Sequence, residues 1–469
     1  MNKKLKEACH SICELAKKKK LSFLTPGAEN ANLIISVPEK TLSLAKEAGF
    51  DFCCKAEILY MYVGTHWLAI SQKNMAKLLA YIAIVGKIPP SHAKHYPFAE
   101  KIYKQFCFTC KDIDVQKPEN IKINCANGTL LFEDTGITLQ PFNSEDYFFS
   151  VLPYEYNKDA IAPEFKRVLD EALPTDGQML LQEYIAAALM PRFNHQKALL
   201  LLGSGANSKS LIQSIISAAL GKENIVERSI EGLCAEESRT IADLEGKLLN
   251  ICSEMSQKFN LTNFKQIVAK DPIAARRLYG EPYTIYNYAS LLFSCNELPR
   301  NIEYTDAYFR RLLILPFLNT IPEEKQDRTL GDRIIANELS GVLNWIIEGV
   351  ERLLKQGYFT KCEIAENTLA DYKIDSDSVA SFLAEENYEK STQPHDWMAL
   401  KSLFDKYLVF CKEANCHSCS LRTFSARLKL AGFDTTRKSY GTAVCARKTA
   451  QEAPEPPVTL SPEWPDIED

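Results

Sequence analysis

The sequence predicts a multidomain α/β fold: an N-terminal α+β region, a phosphate-loop core and a C-terminal winged-helix module. Three observations predict it. Residues 199–210 read LLLLGSGANSKS, an apolar strand that runs into a Gly/Ser loop and then a helix. Further apolar strands follow in KLLNIC, SLLFSC and LLILPF, separated by helical or polar stretches. Residues 397–449 carry two helical runs and then strand, turn, strand.

Composition bounds the rest. The chain has 469 residues, 46% hydrophobic and 25% charged, which fits several soluble globular domains. Its apolar runs are too short to span a bilayer, so no membrane partner is expected. The start, MNKKLKEACHSICELAKKKK, has no apolar signal core and reads as an amphipathic helix, so a cytoplasmic protein is expected. Fifteen cysteines in such a chain are expected to be thiols packed as small hydrophobes. The two CxxC pairs, Cys107/Cys110 and Cys416/Cys419, lie far apart and neither has a second pair nearby, so a zinc site is not expected.

The net charge of −5 is unevenly spread. The tail 450–469 holds six acids and no Lys or Arg, so the remainder carries −5 + 6 = +1. Residues 397–449 hold ten basic and three acidic residues, a net of +7. Phosphate contacts depend on such a local surplus, not on the whole-chain sum.

In chain order, residues 1–110 form the N-terminal α+β module. EILYMYVGTHWLAIS has two β-rich arms around Gly64-Thr65, a hairpin signal, and KNMAKLLAYIAIV has helical spacing. Residues 111–195 hold a β-meander, with turns at Asn127-Gly128 and Thr135-Gly136, and then the helical runs PEFKRVLDEAL and QMLLQEYIAAALM. Residues 196–360 are the core. It closes with LGDRIIANELSGVLNWIIEGVERLLKQG, one periodic helical stretch ending at Gly357. Residues 361–449 are the winged-helix module. They comprise a helix capped by Ser or Asp in DSDSVASFLAEE, helices in WMALKSLFDKYLVFCKEA and SLRTFSARLKLAGF, and a wing around Gly441. The Pro-rich acidic tail 450–469 is expected to be disordered.

A phosphate loop needs a strand to fix it, small residues to bring backbone N–H groups inward, and a helix N-terminus behind it. Here Gly203, Ser204, Gly205, Ala206, Asn207, Ser208, Lys209 and Ser210 supply the loop. Lys209 is placed to reach the β- and γ-phosphates, and Ser210 to bind Mg²⁺. Ser208 stands where the usual pattern has a second glycine. Serine costs little there if the backbone is near-helical, and roughly 1–3 kcal/mol if φ is positive. Glu254 follows the strand of KLLNIC, placed to orient Mg²⁺ or polarise the attacking water. Asn296 ends SLLFSC, placed to hold that water or sense the γ-phosphate. Arg310 and Arg311 precede the third strand, and an arginine supplied there by a neighbouring subunit can neutralise transition-state charge. Each of these features also has a plain reading, as a turn, a strand end or a surface ion pair.

The order phosphate loop, strand-Glu, hairpin, strand-Asn, Arg-Arg resembles the superfamily 3 helicases, above all the helicase half of phage, plasmid and poxvirus primase-helicases. GSGANSKS keeps Gly203, Gly205, Asn207, Lys209 and Ser210 of the family's GxGxNGKS. DPIAARRLYGEPYTIYNYASLLFSCNELP resembles the stretch from the DNA-contacting hairpin to the sensor asparagine, and ELSGVLNWIIEGVERLL the helices after the core. The resemblance covers about residues 55 to 450. It implies an AAA+-like core using ATP and Mg²⁺. Its catalytic set would be Lys209, Glu254, Asn296 and Arg311 as the finger, with Arg310 second. Ser208, and Ala269-Lys270 in place of small glycines, depart from the pattern. No polymerase domain is expected to precede the helicase part.

The implied function is an ATP-dependent replicative DNA helicase of a mobile element, a hexameric ring that translocates on single-stranded DNA. Lys265, Lys270, Arg276 and Arg277 flank the expected hairpin around Gly280-Glu281 and are candidate strand contacts. Arg422, Arg427 and Lys429 on the second C-terminal helix, and Arg437, Lys438, Arg447 and Lys448 at the wing, are candidates for duplex DNA. The acidic tail could shield that surface or dock on a replication protein. The rival reading is a DNA-binding initiator or scaffold whose ATP site assembles the ring but turns over poorly. A weaker option is an ATPase acting on protein.

Overall fold

A computed structural model of the chain describes residues 2–23, 30–55, 58–113, 121–133, 136–190, 193–235, 239–256, 258–276, 282–286, 288–299, 304–414 and 416–449. The acidic tail, Arg277 and the Gly280-Glu281 turn lie outside the described residues.

The N-terminal unit begins with α1 (Lys3–Lys18) and α2 (Asn30–Glu47), then β1 (Asp51–Lys55), β2 (Ile58–Tyr62) and β3 (Trp67–Ala69). Helices α3 (Gln72–Val85), α4 (Pro90–Ala93) and α5 (Tyr96–Thr109) and the short β4 (Lys111–Asp112) complete it. The α1 spacing buries Leu5, Ala8, Ile12 and Ala16 and leaves the lysines outside. The expected hairpin forms, with Tyr62 opposite Trp67 and Tyr60 opposite Ala69. Helix α2 was not legible, because Pro38 lies inside it and proline ordinarily ends a helical pattern.

Strands β5 (Lys122–Cys125), β6 (Gly128–Glu133) and β7 (Gly136–Gln140) make the antiparallel meander, followed by α6 (Pro163–Ala172) and α7 (Thr175–Ala188). The core then runs β8 (Ala198–Leu202), α8 (Lys209–Leu220), β9 (Ile225–Val226), α9 (Ile230–Cys234), β10 (Leu249–Cys252) and α10 (Leu261–Ala269). After it come the antiparallel pair β11 (Ile273–Arg276) and β12 (Pro282–Ile285), then β13 (Ser290–Cys295), α11 (Asp306–Phe309) and β14 (Leu312–Pro316). The five-stranded sheet has the order β14-β8-β13-β10-β9, and every pairing in it is parallel.

A parallel sheet is covered on both faces, which is why its strands read as unbroken apolar runs. Leu199 and Leu201 face a core shared with α6, α7 and α8. Ala198 and Leu200 face a second core built with α9, α10 and α11. The result is a three-layer α/β/α arrangement with the phosphate-loop strand near its middle.

The helical stretch expected as one element is two: α12 (Leu330–Asn337) and α13 (Leu339–Gln356). They break at Glu338, whose carboxylate accepts from Glu164 N at 3.1 Å and Phe165 N at 3.0 Å. Those amides belong to the first turn of α6 and have no partner within their own helix. A residue spent on capping a distant helix leaves no trace in local periodicity. Helix α13 ends as read, at Gly357 with φ +74°.

Helix α14 (Glu363–Asp375) packs Ala365 and Tyr372 into the two cores of the central unit, and the C-terminal core begins at Val379. The C-terminal unit holds α15 (Ser378–Glu385), β15 (Tyr388–Lys390), β16 (Trp397–Ala399), α16 (Leu400–Glu413), α17 (Leu421–Leu430), β17 (Thr435–Lys438) and β18 (Gly441–Lys448). Asp377 caps α15, accepting from Val379 N and Ala380 N. Residues 397–399, expected as the start of a helix, form a strand instead, because β18 offers them an edge to pair with. All fifteen cysteines are unbridged thiols, ten of them buried. Among the described residues no helix is long and apolar enough to cross a membrane.

His195, just before β8, packs its ring against Tyr184 and Phe359. Its Nδ1 accepts from Lys197 N at 3.0 Å, and its buried Nε2 has no partner. Burial, then the charges of Lys270 and Lys197, push its pKa down to about 3. An unfolded histidine titrates near 6.5. Between pH 6.5 and about 3 the unfolded chain therefore binds a proton that the folded one refuses, and stability falls as pH falls. Thermal unfolding at pH 7.5 and 5.5 should show a smaller acid loss for His195→Phe than for wild type; equal losses would show that another group sets the acid response.

Candidate active site

Strand β8 lies between β13 and β14, so its carboxyl end opens where the loop 203–208 must leave the sheet. Gly203 N donates to Cys295 O at 3.1 Å, and Phe317 N donates to Leu202 O at 2.7 Å, tying the loop's root to both neighbours. A Cβ on Gly203 would stand 2.2 Å from Asn207 Nδ2, 2.8 Å from Phe317 O and 3.1 Å from Lys209 Nζ. Only glycine fits there.

Ala206 and Ser208 both adopt left-handed backbone, with φ +48° and +63°. Such residues build the concave runs of N–H groups that hold anions. Ser208 thus takes the costly alternative, and its side chain makes no capping hydrogen bond to offset it. The buried Asn207 amide donates to Phe317 O at 3.3 Å, and Ile321 N donates to Ala206 O at 2.7 Å. Lys209 opens α8, is 5% exposed, and donates from Nζ to Gly203 O. Burial lowers its pKa, with Cys295 opposing.

The loop floors a cleft of about 1240 Å³. Asn296 lines it, as does Ser294, whose buried Oγ has no hydrogen-bond partner. Glu254 follows β10 and is exposed, but its neighbour Ser253 is the residue that lines the cleft. Sequence reasoning missed two further walls. Arg167, Val168 and Glu171 come from α6, and 318–322 with Gln326 and Asp327 come from the segment after β14. Hydrogen bonds from Arg333 and then Thr329 hold the Asp327 carboxyl down to about 2. None of these residues carries a local motif; chain folding alone brings them to the loop. The orphaned Ser294 hydroxyl, the glycine-only root and the lysine at a helix N-terminus fit a phosphate chain with its metal ion.

The arginine pair lies elsewhere. Leu312 pairs with Ala198, so Arg310 and Arg311 sit at the amino edge of the sheet, opposite the loop. The intervening strand spans roughly 16 Å. Arg311 donates from Nη1 to Ala307 O at 2.7 Å, and its Nε is buried without a partner. Arg310 is exposed, and among the described residues its side chain has no hydrogen bond or ion pair.

Among the nucleic-acid candidates, Lys265 is half-buried on α10 and Arg276 ends β11 on an exposed position. Lys270 is the left-handed C-cap of α10 and lines a separate cleft of about 370 Å³, with Lys122 and Tyr283 among its walls. Arg422, Lys429, Arg437 and Arg447 are exposed. Lys438 lies over the Trp397 ring at 4.6 Å, and Lys448 pairs with Glu386 at 2.5 Å. Arg427 leaves the set: its guanidinium is engaged inside the chain, with Asp377 at 3.2 Å and Tyr304 O at 3.1 Å.

The parallel five-stranded sheet and the loop at the end of β8 are consistent with a P-loop core. Two family models match the chain: "D5 N terminal like" over residues 42–174, and "Family of unknown function (DUF5906)" over residues 201–311. A stretch of 150 residues is 28% identical to "Putative helicase L207/L206" of Acanthamoeba polyphaga mimivirus, covering 30% of this chain and 16% of that protein. The chain thus matches only a small part of that relative's length. Solved structures of the NrS-1 C-terminal region are similar at 12% identity and a TM-score of 0.49, over 87% of this chain and 98% of that one. A second NrS-1 structure stands at 13%, a TM-score of 0.47, and 89% and 99%. The chain carries the D5 and DUF5906 segments typical of superfamily 3 primase-helicases, the resemblance its motifs express, and that family implies nucleoside triphosphate binding.

Ser208→Gly should raise or preserve the melting temperature, because it removes a left-handed penalty of about 1–2 kcal/mol against a smaller entropic loss. Ser208→Val should lower it. A Ser208→Gly variant that melts earlier than Ser208→Val would show that the serine side chain is needed for stability there.

Proposed function

We propose that this protein is an ATP-dependent DNA helicase of the kind mobile elements use in replication, working as a ring on single-stranded DNA. The observation that carries the reading is the built phosphate loop, with buried Lys209 at the start of α8 and Asn296 on the next strand end. Lys209 neutralises the β- and γ-phosphates. Ser210 would hold Mg²⁺, which supplies charge screening along the phosphates. Asn296 orients the attacking water, and Glu254 serves from the rim, one residue beyond the lining Ser253.

Arg310 and Arg311 stand at the far edge of the sheet, and the arginine on the cleft wall, Arg167, is already paired with Glu171 at 3.1 Å. A neighbouring protomer supplies an uncommitted arginine, which is the argument for a ring. The order expected for the pair is reversed here: Arg311 is held by Ala307 O, so exposed Arg310 is the finger and Arg311 shapes its turn. The C-terminal unit serves as a winged helix, with Arg422, Lys429, Arg437 and Arg447 facing duplex DNA. The β11–β12 hairpin, with Lys265, Lys270 and Arg276, faces the threaded strand.

One observation favours the rival reading, an initiator or scaffold that binds ATP but hydrolyses it poorly. The left-handed Ser208 strains the loop on which turnover depends. ATP hydrolysis with and without single-stranded DNA separates the two. Stimulated hydrolysis abolished by Lys209→Ala supports the helicase; binding without turnover supports the scaffold. Arg310→Ala should keep ATP affinity within about 3-fold and cut hydrolysis by roughly 10³-fold or more. Unchanged turnover in that variant removes the finger assignment.

A further inference from the structure

Arg427 rides on α17, the helix that also carries the exposed Arg422 and Lys429. Its own guanidinium turns the other way, onto the core. Nη1 pairs with Asp377 Oδ1 at 3.2 Å, Nη2 donates to Tyr304 O at 3.1 Å, and the group lies 4.4 Å from the centre of the Tyr304 ring. The Arg427 side chain is 11% exposed and that of Asp377 24%. Three kinds of contact, an ion pair, a hydrogen bond and a cation–π stack, therefore converge on one partly desolvated cation.

What it grips matters. Tyr304 packs edge-on against Phe309 at 5.0 Å, and Thr305 caps α11 by accepting from Tyr308 N. Helix α11 has four residues and ends directly before Arg310 and Arg311. Behind it, Tyr308 meets Tyr372, whose hydroxyl donates to Pro299 O at 2.6 Å. That segment leads back to Asn296 at the nucleotide cleft. A turn this short is held by its surroundings more than by its own backbone bonds, so its placement follows Tyr304.

We propose that Arg427 is a positioning residue that couples the C-terminal basic unit to the arginine-bearing turn, so that duplex DNA on α17 and ATP at the ring's sites regulate each other. This rests on the reading of the site given under Proposed function. Duplex contact at Arg422 and Lys429 shifts α17, the clasp on Tyr304 shifts with it, and the α11 turn moves Arg310 toward or away from the neighbouring site. Coupling between two binding sites is reciprocal and typically amounts to about 5–150-fold. Lysine cannot replace this arginine, because it lacks both the fork and the flat face that stacks on Tyr304.

The test uses the full-length protein and a fluorescent duplex. Its affinity is measured with and without a non-hydrolysable ATP analogue, in wild type, Arg427→Ala, Arg427→Lys and Asp377→Asn. The wild-type ratio of the two affinities should be at least about 5. It should fall toward one in Arg427→Ala and Arg427→Lys and partway in Asp377→Asn, while duplex affinity without nucleotide stays within 2-fold of wild type. A merely structural arginine would instead lower the duplex affinity or the melting temperature and leave the ratio. A wild-type ratio of one, or an Arg427→Ala ratio equal to the wild-type one, overturns the proposal. Because the readout is binding, it survives a protein that does not hydrolyse ATP; that result would count against the helicase reading alone.

Discussion

The end of β8 is the point on which the rest of the molecule depends. Within a few ångströms of Gly203 stand the Asn207 amide, the Phe317 carbonyl and the Lys209 ammonium, and there is no room for a single added methyl group. The loop must fold back on itself to place a lysine at the mouth of α8. It does so through left-handed backbone at Ala206 and Ser208. Strain of this order persists only where the surroundings over-determine it. They do so here: β13 and β14 both hydrogen-bond to the loop's root, and the segment after β14 bonds to Ala206. The apolar sheet is the stiff base that lets a polar, strained loop keep one shape.

A second set of constraints joins α13 to α7 and to the segment before α6. Helix α13 lies flush on its neighbours through two glycines: a Cβ on Gly341 would meet Ile161 C at 2.3 Å, and one on Gly349 would meet Gln182 O at 2.9 Å. The close approach lets polar groups finish the contact. Asn344 donates to Asn157 O at 2.9 Å and Ala160 O at 2.8 Å. The fully buried Glu183 takes Arg352 at 3.3 Å and both the amide and the hydroxyl of Thr360 at 2.6 Å. Taking one partner from a buried pair of this kind typically costs about 3–5 kcal/mol. These bonds set one position of α7 and α13 relative to the sheet, and with it the wall that α6 gives to the cleft.

Among the described residues, some arginines face outward without a carboxylate partner, and others build. Arg310, Arg422, Arg437 and Arg447 are exposed. Arg311, Arg352 and Arg427 are held by carbonyls and carboxylates within the chain. The held ones sit where one element must keep its angle to another, and the exposed ones sit on elements positioned that way. In the proposed ring, this division is what a finger supplied by a second protomer needs. The side chain that could neutralise charge is kept free, and its neighbour in sequence is fastened to the turn.

Much of this was legible in the residues alone. Continuous apolar runs announced buried parallel strands, helical spacing announced α1, α3, α7 and α8, and the GSGANSKS pattern announced the phosphate loop. All of these arise from interactions within a few residues, so their signal is local. The break at Glu338, the strand at 397–399 and the walls from α6 and 318–322 were not legible. Each depends on a partner far away in the chain: the α6 amides, the β18 edge, the loop itself. The backbone at Ser208 and the fate of Arg427 belong with them. Sequence determined which elements form and where the glycine- and serine-rich loop sits; tertiary structure decided which cations remain free, because a guanidinium is committed only when folding brings it an acceptor.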